Sequence, residues 1–219
     1  MSYAIAIDGP AGAGKSTISK MVASELSYIY VDTGALYRAI AYAFLKENLD
    51  ITSEYIIQKK LNDITVSLKY VSGMQQVFLN EKNITGELRT EQVGNMASKV
   101  SAIKEVREKL LHIQRDIAEK NNVVMDGRDI GTYVLPKANL KIFLTASVHV
   151  RAMRRYKELI EKGERAEIKK IEEDIEIRDS RDSNREISPL KQAQDAILID
   201  CSDLSIEEVV NRIIEMTKR

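Results

Sequence analysis

The chain has 219 residues, 44% of them hydrophobic and 30% charged, a composition that buries its own core without disulfides or structural metal. Lys+Arg and Asp+Glu both total 33, so the basic excess of a non-specific nucleic-acid binder is absent. A single cysteine, Cys201, excludes both a disulfide framework and a thiolate metal site within the chain, and neither histidine, His112 or His149, has a metal-ligand partner nearby in sequence, while no apolar run reaches the ~18 residues of a membrane span.

In chain order, residues 3–8 read as a buried strand ending on Asp8. Gly9-Pro10-Ala11-Gly12-Ala13-Gly14-Lys15-Ser16 follows and fits G-x-x-x-x-G-K-[ST], with a helical pattern from Ser16 and Thr17 onward. A strand before and a helix after are the context this phosphate cradle requires. Backbone N–H groups turn inward, Lys15 bridges β- and γ-phosphates, and the Ser16 hydroxyl suits Mg²⁺. The motif alone names no reaction, since switches, motors and kinases share it. The D-x-x-G and N-K-x-D strings of a GTPase switch are absent.

A second strand, 29–32, leads into Asp32-Thr33-Gly34-Ala35-Leu36-Tyr37-Arg38, which offers a carboxylate, a hydroxyl and an arginine at a helix start near Ala35. Arg38 reads either as a ligand group or as a solvated helix residue. Residues 64–70 and 75–80 are β-rich around Ser72-Gly73, and 81–83 form a second turn, which predicts an antiparallel hairpin insertion over 63–88. Helices are expected from about Thr90 and Ile103. The third core strand, 123–126, runs into Asp126-Gly127-Arg128-Asp129-Ile130-Gly131-Thr132, where two glycines are expected to turn the chain and expose Arg128 and Asp129.

Strand 140–145 precedes a helix from Val148 that places Arg151, Arg154 and Arg155 on one face, with Met153, Tyr156 and Ile160 toward the core. These arginines suit either a lid closing over transferring phosphates or a plain basic surface. The charged run 161–174 predicts a loop opening into a helix. On that helix, positions 168, 171, 175, 178, 182 and 185 form one stripe, occupied by Ile168, Ile171, Ile175, Arg178, Asp182 and Arg185. An exposed ion-pair ladder and a site for a phosphorylated ligand both fit it, but only the second explains why charges continue an apolar face. Strand 196–200 and a helix from Ser205 end the chain, with Cys201 expected to be a buried bystander. Strands alternating with helices predict an α/β fold: a five-stranded parallel sheet flanked by helices, with ligands outside the strands' carboxyl ends near Asp8, Asp32 and Asp126.

With these residues assembled, the chain resembles the cytidylate kinase family, within the nucleoside-monophosphate kinases. The resemblance spans nearly the whole length: the phosphate loop, 32–38, the hairpin, Gly86-Glu87-Leu88-Arg89-Thr90, Ala97-Ser98, 126–132 and 178–185. The D-G-R-D-x-G-T and R-D-x-R-D-x-x-R strings are the specific ones. Thr33 stands where some members have serine, which keeps the hydroxyl. The resemblance implies a single P-loop kinase domain over 1–219, with a CMP-binding subdomain at 34–100 and a short lid at 151–168. It implies transfer of the γ-phosphoryl of ATP, with Mg²⁺, to CMP and dCMP, in a cytoplasmic monomer with no nucleic-acid or membrane partner. Thr33, Arg38, Ser98, Arg107, Arg128, Asp129, Arg178, Asp182 and Arg185 are then expected to contact the acceptor. Arg38 and Arg128 suit its phosphate, Ser98, Arg107 and Asp129 its base, and Arg178 and Asp182 its sugar, with Arg185 between. Lys15, Arg128, Arg151, Arg154 and Arg155 are expected to serve the transfer itself. Asp8, Asp126 and Asp32 are all open as holders of a Mg²⁺-bound water, and no general base is expected. Other small-molecule P-loop kinases and an ATP-binding regulatory module are the alternatives.

Overall fold

The computed structural model describes residues 2–218. Five strands form a parallel sheet: β1 (Ala4–Asp8), β2 (Ile29–Asp32), β6 (Val123–Gly127), β7 (Leu140–Thr145) and β8 (Ile197–Asp200). Their order is β2-β6-β1-β7-β8. Every residue of β1 and β6 is buried, which is why both read as unbroken apolar runs rather than alternating ones. The register sets Ile7 beside Asp126 and Asp8 beside Gly127. The chain leaves β1 toward one edge and returns through β6 and β7 toward the other, so the loop after β1 opens at the point where strand order reverses.

Eight α-helices are described: α1 (Lys15–Leu26), α2 (Thr33–Lys46), α3 (Glu54–Asp63), α4 (Glu91–Val100), α5 (Lys104–Lys120), α6 (Val148–Glu161), α7 (Ile168–Asn184) and α8 (Ile206–Met216). Side-chain caps fix several starts: Asp32 for α2, Thr90 for α4, Ser147 for α6 and a full capping box at Ser205 for α8. Helix α3 was not legible in the apolar pattern, because it buries only Ile57 and Leu61. The expected hairpin is a three-stranded antiparallel sheet, β3 (Val66–Val71), β4 (Met74–Leu79) and β5 (Lys82–Asn83). Positive φ at Ser72 and Gly73 makes the first turn, and positive φ at Asn80 and Glu81 makes the second. The second turn therefore comes earlier than 81–83, and residues 82–83 are released to pair with Leu79 and Phe78.

Two compact units divide the chain, Val31–Asn121 in one and Tyr3–Tyr30 with the chain from Asn122 onward in the other. Each has its own core. The first packs Leu36, Ile40, Phe44, Ile84, Val100 and Leu110, and the second packs Ile5, Ile7, Ile142, Leu144, Val209 and Ile213. Among the described residues, no helix is long and apolar enough to cross a membrane.

Candidate active site

In the second unit, β1 delivers the chain into the loop Gly9–Gly14. A Cβ on Gly9 would sit 1.9 Å from the Leu144 carbonyl oxygen, so the loop starts by pressing backbone against β7. Gly14 (φ 88°) turns the chain into α1 and offers no side-chain cap, leaving the helix's first N–H groups turned to the loop. Lys15 is buried, and its Nζ donates to the Pro10 carbonyl at 2.6 Å. Burial, and next the Arg128 charge, hold the Lys15 ammonium well below its ordinary pKa; Arg178 adds to this, while Asp126 and Asp8 oppose it. The charges of Arg128 and Arg178 are thus felt at the lysine of the phosphate loop. Ser16 Oγ donates to Asp126 Oδ2 at 3.0 Å, and the Tyr30 hydroxyl donates to Asp126 Oδ1 at 2.8 Å. This hydroxyl-and-carboxylate oxygen set fits a hard cation such as Mg²⁺, and it puts Asp126, rather than Asp8 or Asp32, beside Ser16. Thr17 is exposed on the first turn of α1.

Asp8 has another task. Its Oδ1 accepts from Ile130 N–H at 2.8 Å and its Oδ2 from Gly131 N–H at 2.7 Å, holding the single π-turn Ile130–Val134. Burial pushes the Asp8 carboxyl up to about 6, against the two backbone donors and Lys15, with Asp129 adding to the rise. The chain does bend at Arg128 and Asp129, as expected, but neither Gly127 nor Gly131 has a positive φ, so the bend does not draw on glycine's left-handed freedom. Gly131 is required by crowding: a Cβ there would lie 3.1 Å from Lys141 Cδ. Lys141 is itself pinned by the Pro136 carbonyl at 2.7 Å and by both oxygens of Asp195. Nor is Asp129 exposed. It is 4% accessible and lies 3.5 Å from an Arg185 nitrogen, because the chain beyond α7 covers the turn.

The stripe on α7 is real and buried. Ile171, Ile175 and Asp182 are buried on one face, and Arg178 between them is half-buried. Asp182 receives Arg128 Nε at 2.9 Å, so the partner comes from another element rather than from the helix's own ladder. Arg185 lies one residue beyond the helix, in extended backbone, where its Nε donates to the Ser188 carbonyl.

The three arginines of α6 part company. Arg151 is 4% exposed, donating from Nε to the Ala146 carbonyl at 2.9 Å and from Nη1 to the Ala11 carbonyl at 3.0 Å. Its Nη1 also lies 2.7 Å from Asp179 Oδ2. Arg154 donates to the Cys201 carbonyl at 2.9 Å and, at a long 3.4 Å, to the Ala13 carbonyl. Arg155 is turned to solvent and Glu158. Tyr156 and Leu159 pack on Ala152, Ile171 and Ile175, but Ile160 is exposed rather than core, because α6 outlasts the helix surface it packs on. The loop expected across 161–174 is shorter: α6 persists to Glu161 and α7 starts at Ile168. Cys201 is fully buried, its Sγ 3.3 Å from the Ala13 carbonyl. Among the described residues, no group of three or more His, Cys, Asp or Glu could hold a metal ion.

The first unit carries a second set. Asp32 Oδ1 accepts from Ala35 N–H at 3.0 Å and its Oδ2 from Arg38 Nη2 at 2.7 Å, with Arg89 Nη2 at 3.7 Å. Gln75 from β4 closes on the Asp32 backbone, accepting its N–H at 2.9 Å. Thr33, Ser98 and Arg107 are all buried. Arg107 Nη1 donates to the Ser101 carbonyl at 3.1 Å, and its guanidinium sits 5.7 Å from the centre of the Tyr37 ring. Gln75, Arg89 and Tyr37 belong to this set and were given no role from the sequence, although Tyr37 and Arg89 lie in the strings 32–38 and 86–90. Gln75 had no signal but its place on β4.

A family model described as cytidylate kinase matches residues 5–219. The cytidylate kinase of Lactobacillus johnsonii is 48% identical over 215 residues, covering 98% of this chain and 94% of that one. That of Caldicellulosiruptor saccharolyticus is 50% identical over 212 residues, covering 97% and 94%. Among solved structures, shikimate kinase from Bacteroides thetaiotaomicron aligns over 99% of both chains with a TM-score of 0.52 at 17% identity, a likeness of fold alone.

Proposed function

The chain belongs to the cytidylate kinase family, and from that premise we propose that it moves the γ-phosphoryl of ATP to CMP and dCMP by direct in-line transfer, with no covalent enzyme intermediate. The observation that carries this reading is the buried Lys15 at the end of the Gly9–Gly14 loop, its Nζ on the Pro10 carbonyl and its proton affinity lowered first by burial and then by the charges of Arg128 and Arg178. A buried cation flanked by guanidinium groups is suited to a polyphosphate.

In this reading the Gly9–Gly14 backbone and Lys15 hold the donor phosphates. Ser16 and Asp126 would hold Mg²⁺, which supplies charge neutralisation on the phosphates. Arg38 and Arg128 bind the acceptor phosphate, and Arg178 serves the sugar, its charge also felt at Lys15. Asp182 accepts from the ribose, Arg185 orients Asp129, and Ser98, Arg107 and Asp129 read the base. Thr33 adds a hydroxyl donor. An acceptor phosphate oxygen is already an anionic nucleophile, so positioning and charge stabilisation suffice without a general base. Asp8, with each oxygen taken by a backbone N–H, is a brace for the turn. Residues 34–100 are assigned to CMP binding and 151–168 to a lid, in a cytoplasmic monomer.

The test is an acceptor panel of CMP, dCMP, UMP, AMP and no acceptor, with ATP and Mg²⁺, followed as ADP release. ADP formation that requires a cytidine monophosphate is expected. Acceptor-independent hydrolysis, or a preference for AMP, overturns the reading.

A further inference from the structure

We infer that Asp179 is a positioning residue for the donor site: through Arg151 it holds the outer face of the phosphate loop, without touching nucleotide itself. This rests on the kinase reading above only in naming the loop's ligand as a nucleoside polyphosphate.

The chain of contacts is short and lies within one unit. Asp179 Oδ2 sits 2.7 Å from Arg151 Nη1, and the same nitrogen donates to the Ala11 carbonyl at 3.0 Å. Arg151 Nε is fixed by the Ala146 carbonyl at the end of β7, so the guanidinium plane has little freedom left. Its stem passes close over Gly12, where an added Cβ would lie 3.3 Å from Arg151 Cβ. The other Asp179 oxygen, Oδ1, is buried and accepts no hydrogen bond, so Arg151 is the group this carboxylate serves.

The consequence follows from the planar trans peptide. The Ala11 carbonyl and the Gly12 N–H belong to one peptide unit and point in opposite directions. A donor that fixes the carbonyl on the outer side fixes that N–H on the other. Arg154 and Cys201 approach the Ala13 carbonyl, and so the Gly14 N–H, in the same way at longer range. Alternate peptides of the loop are thus gripped from outside by charge- and thiol-bearing groups. The α7 residues flanking this contact are Arg178, which acts on Lys15, and Asp182, which receives Arg128. Asp179 therefore ties the helix that carries acceptor-side groups to the loop that carries the donor. Two of the three Arg151 nitrogens, Nε and Nη1, are engaged in this brace.

The experiment is calorimetric titration of MgADP and, separately, of CMP into wild type, Asp179→Ala, Asp179→Asn, Arg151→Met and the double variant Arg151→Met/Asp179→Ala. Loss of one charge-assisted contact should weaken MgADP about tenfold in Asp179→Ala, with CMP affinity unchanged. Asp179→Asn, whose amide oxygen still accepts one hydrogen bond, should recover part of the loss. In the Arg151→Met background the Asp179 substitution should have no further effect. Unchanged MgADP affinity, a parallel loss of CMP affinity, or additive effects in the double variant would each overturn the inference. If Asp179→Ala does not fold, Asp179→Asn and Arg151→Lys carry the test, the lysine keeping the charge but losing the fork. Because MgADP binding needs no acceptor, a wild type that binds it yet leaves CMP unphosphorylated would sink the proposed function while leaving this inference standing.

Discussion

Arg128 Nε and Asp182 Oδ2 meet at 2.9 Å although the two residues lie 54 apart in sequence, joining the turn after β6 to the last turn of α7. The carboxylate is nearly enclosed, at 6% side-chain exposure, while the arginine keeps 20%. Asp182 thus depends on this partner more than Arg128 does. Asp182→Ala should raise KM for CMP and dCMP at least about tenfold and lower stability by ~1–3 kcal/mol, with KM for ATP unchanged. Initial rates with each substrate varied in turn, and a melting curve, check this; an ATP-selective defect would move α7 to the donor side.

Removing a charge from a crowded cluster should help the fold and ruin the enzyme. Lys15→Met relieves the repulsion among Lys15, Arg128 and Arg178 while keeping the buried stem. The variant should melt at or above the wild-type temperature, yet turn over slower by roughly 10³-fold or more. Sulfate or ADP should raise the wild-type melting temperature more than that of the variant. A variant that melts well below wild type contradicts the crowding.

Asp8 predicts a pH dependence of stability with a definite sign. Its carboxyl titrates at about 6 in the fold against an ordinary 3.8. Between those values the unfolded chain has released the proton that the folded one retains, so stability falls as pH rises through that window and is flat above it. The full shift is worth roughly 3 kcal/mol. Asp8→Asn removes this term and faces one of the Ile130 and Gly131 N–H groups with an NH₂. The wild type should gain stability over Asp8→Asn as pH is lowered from neutrality to about 5. Parallel melting profiles would contradict it. Turnover should fall in Asp8→Asn at every pH, because the turn bearing Arg128 and Asp129 loses an anchor.

Base choice follows from donor and acceptor chemistry. Cytosine offers an N4 amine beside the N3 and O2 acceptors, whereas uracil offers O4 beside N3–H. Asp129 accepts and Arg107 only donates, and both are buried. In the proposed reading, groups matched in this way reject the mismatched base by as much as about 10⁴-fold in kcat/KM. CMP should be strongly preferred to UMP, with the gap narrowing in Asp129→Ala and in Arg107→Met. Equal use of both bases by the wild type refutes this, and an unchanged gap in both variants assigns the base to other residues.

Strands β1 and β6 were legible because burial on both faces writes them as short apolar runs, and the phosphate loop because its motif has the right neighbours, whereas β8 was read as buried from the same kind of run although Ile197 and Leu198 are exposed on the sheet's edge. The stripe on α7 was legible too, since a change from isoleucine to Arg178 and Asp182 on one face survives in helical spacing. Helix α3 was hidden by burying only two residues. Partner choice was the harder problem. That Arg151 faces Asp179, or that Lys141 faces Asp195, depends on how α6, α7 and the segment before β8 are packed, which no local pattern records. Glycine was misread at Gly131 for a related reason: crowding by Lys141 looks, in sequence, the same as a need for an unusual backbone angle.

The glycines of the phosphate loop divide by phenotype. Gly9 is held by its distance to the Leu144 carbonyl, a demand of strand against strand that exists before any nucleotide arrives. A side chain at Gly12 would instead press on Arg151, and one at Gly14 would meet only ordinary contacts from Arg154 and Ile18 at 3.7 Å, though both positions have a positive φ. In a deep mutational scan, lesions at residue 9 should therefore deplete soluble protein. Those at residue 14 should leave more protein in solution with its catalysis impaired. One motif would then split into a letter read by the ribosome's product as it folds and a letter read by the substrate.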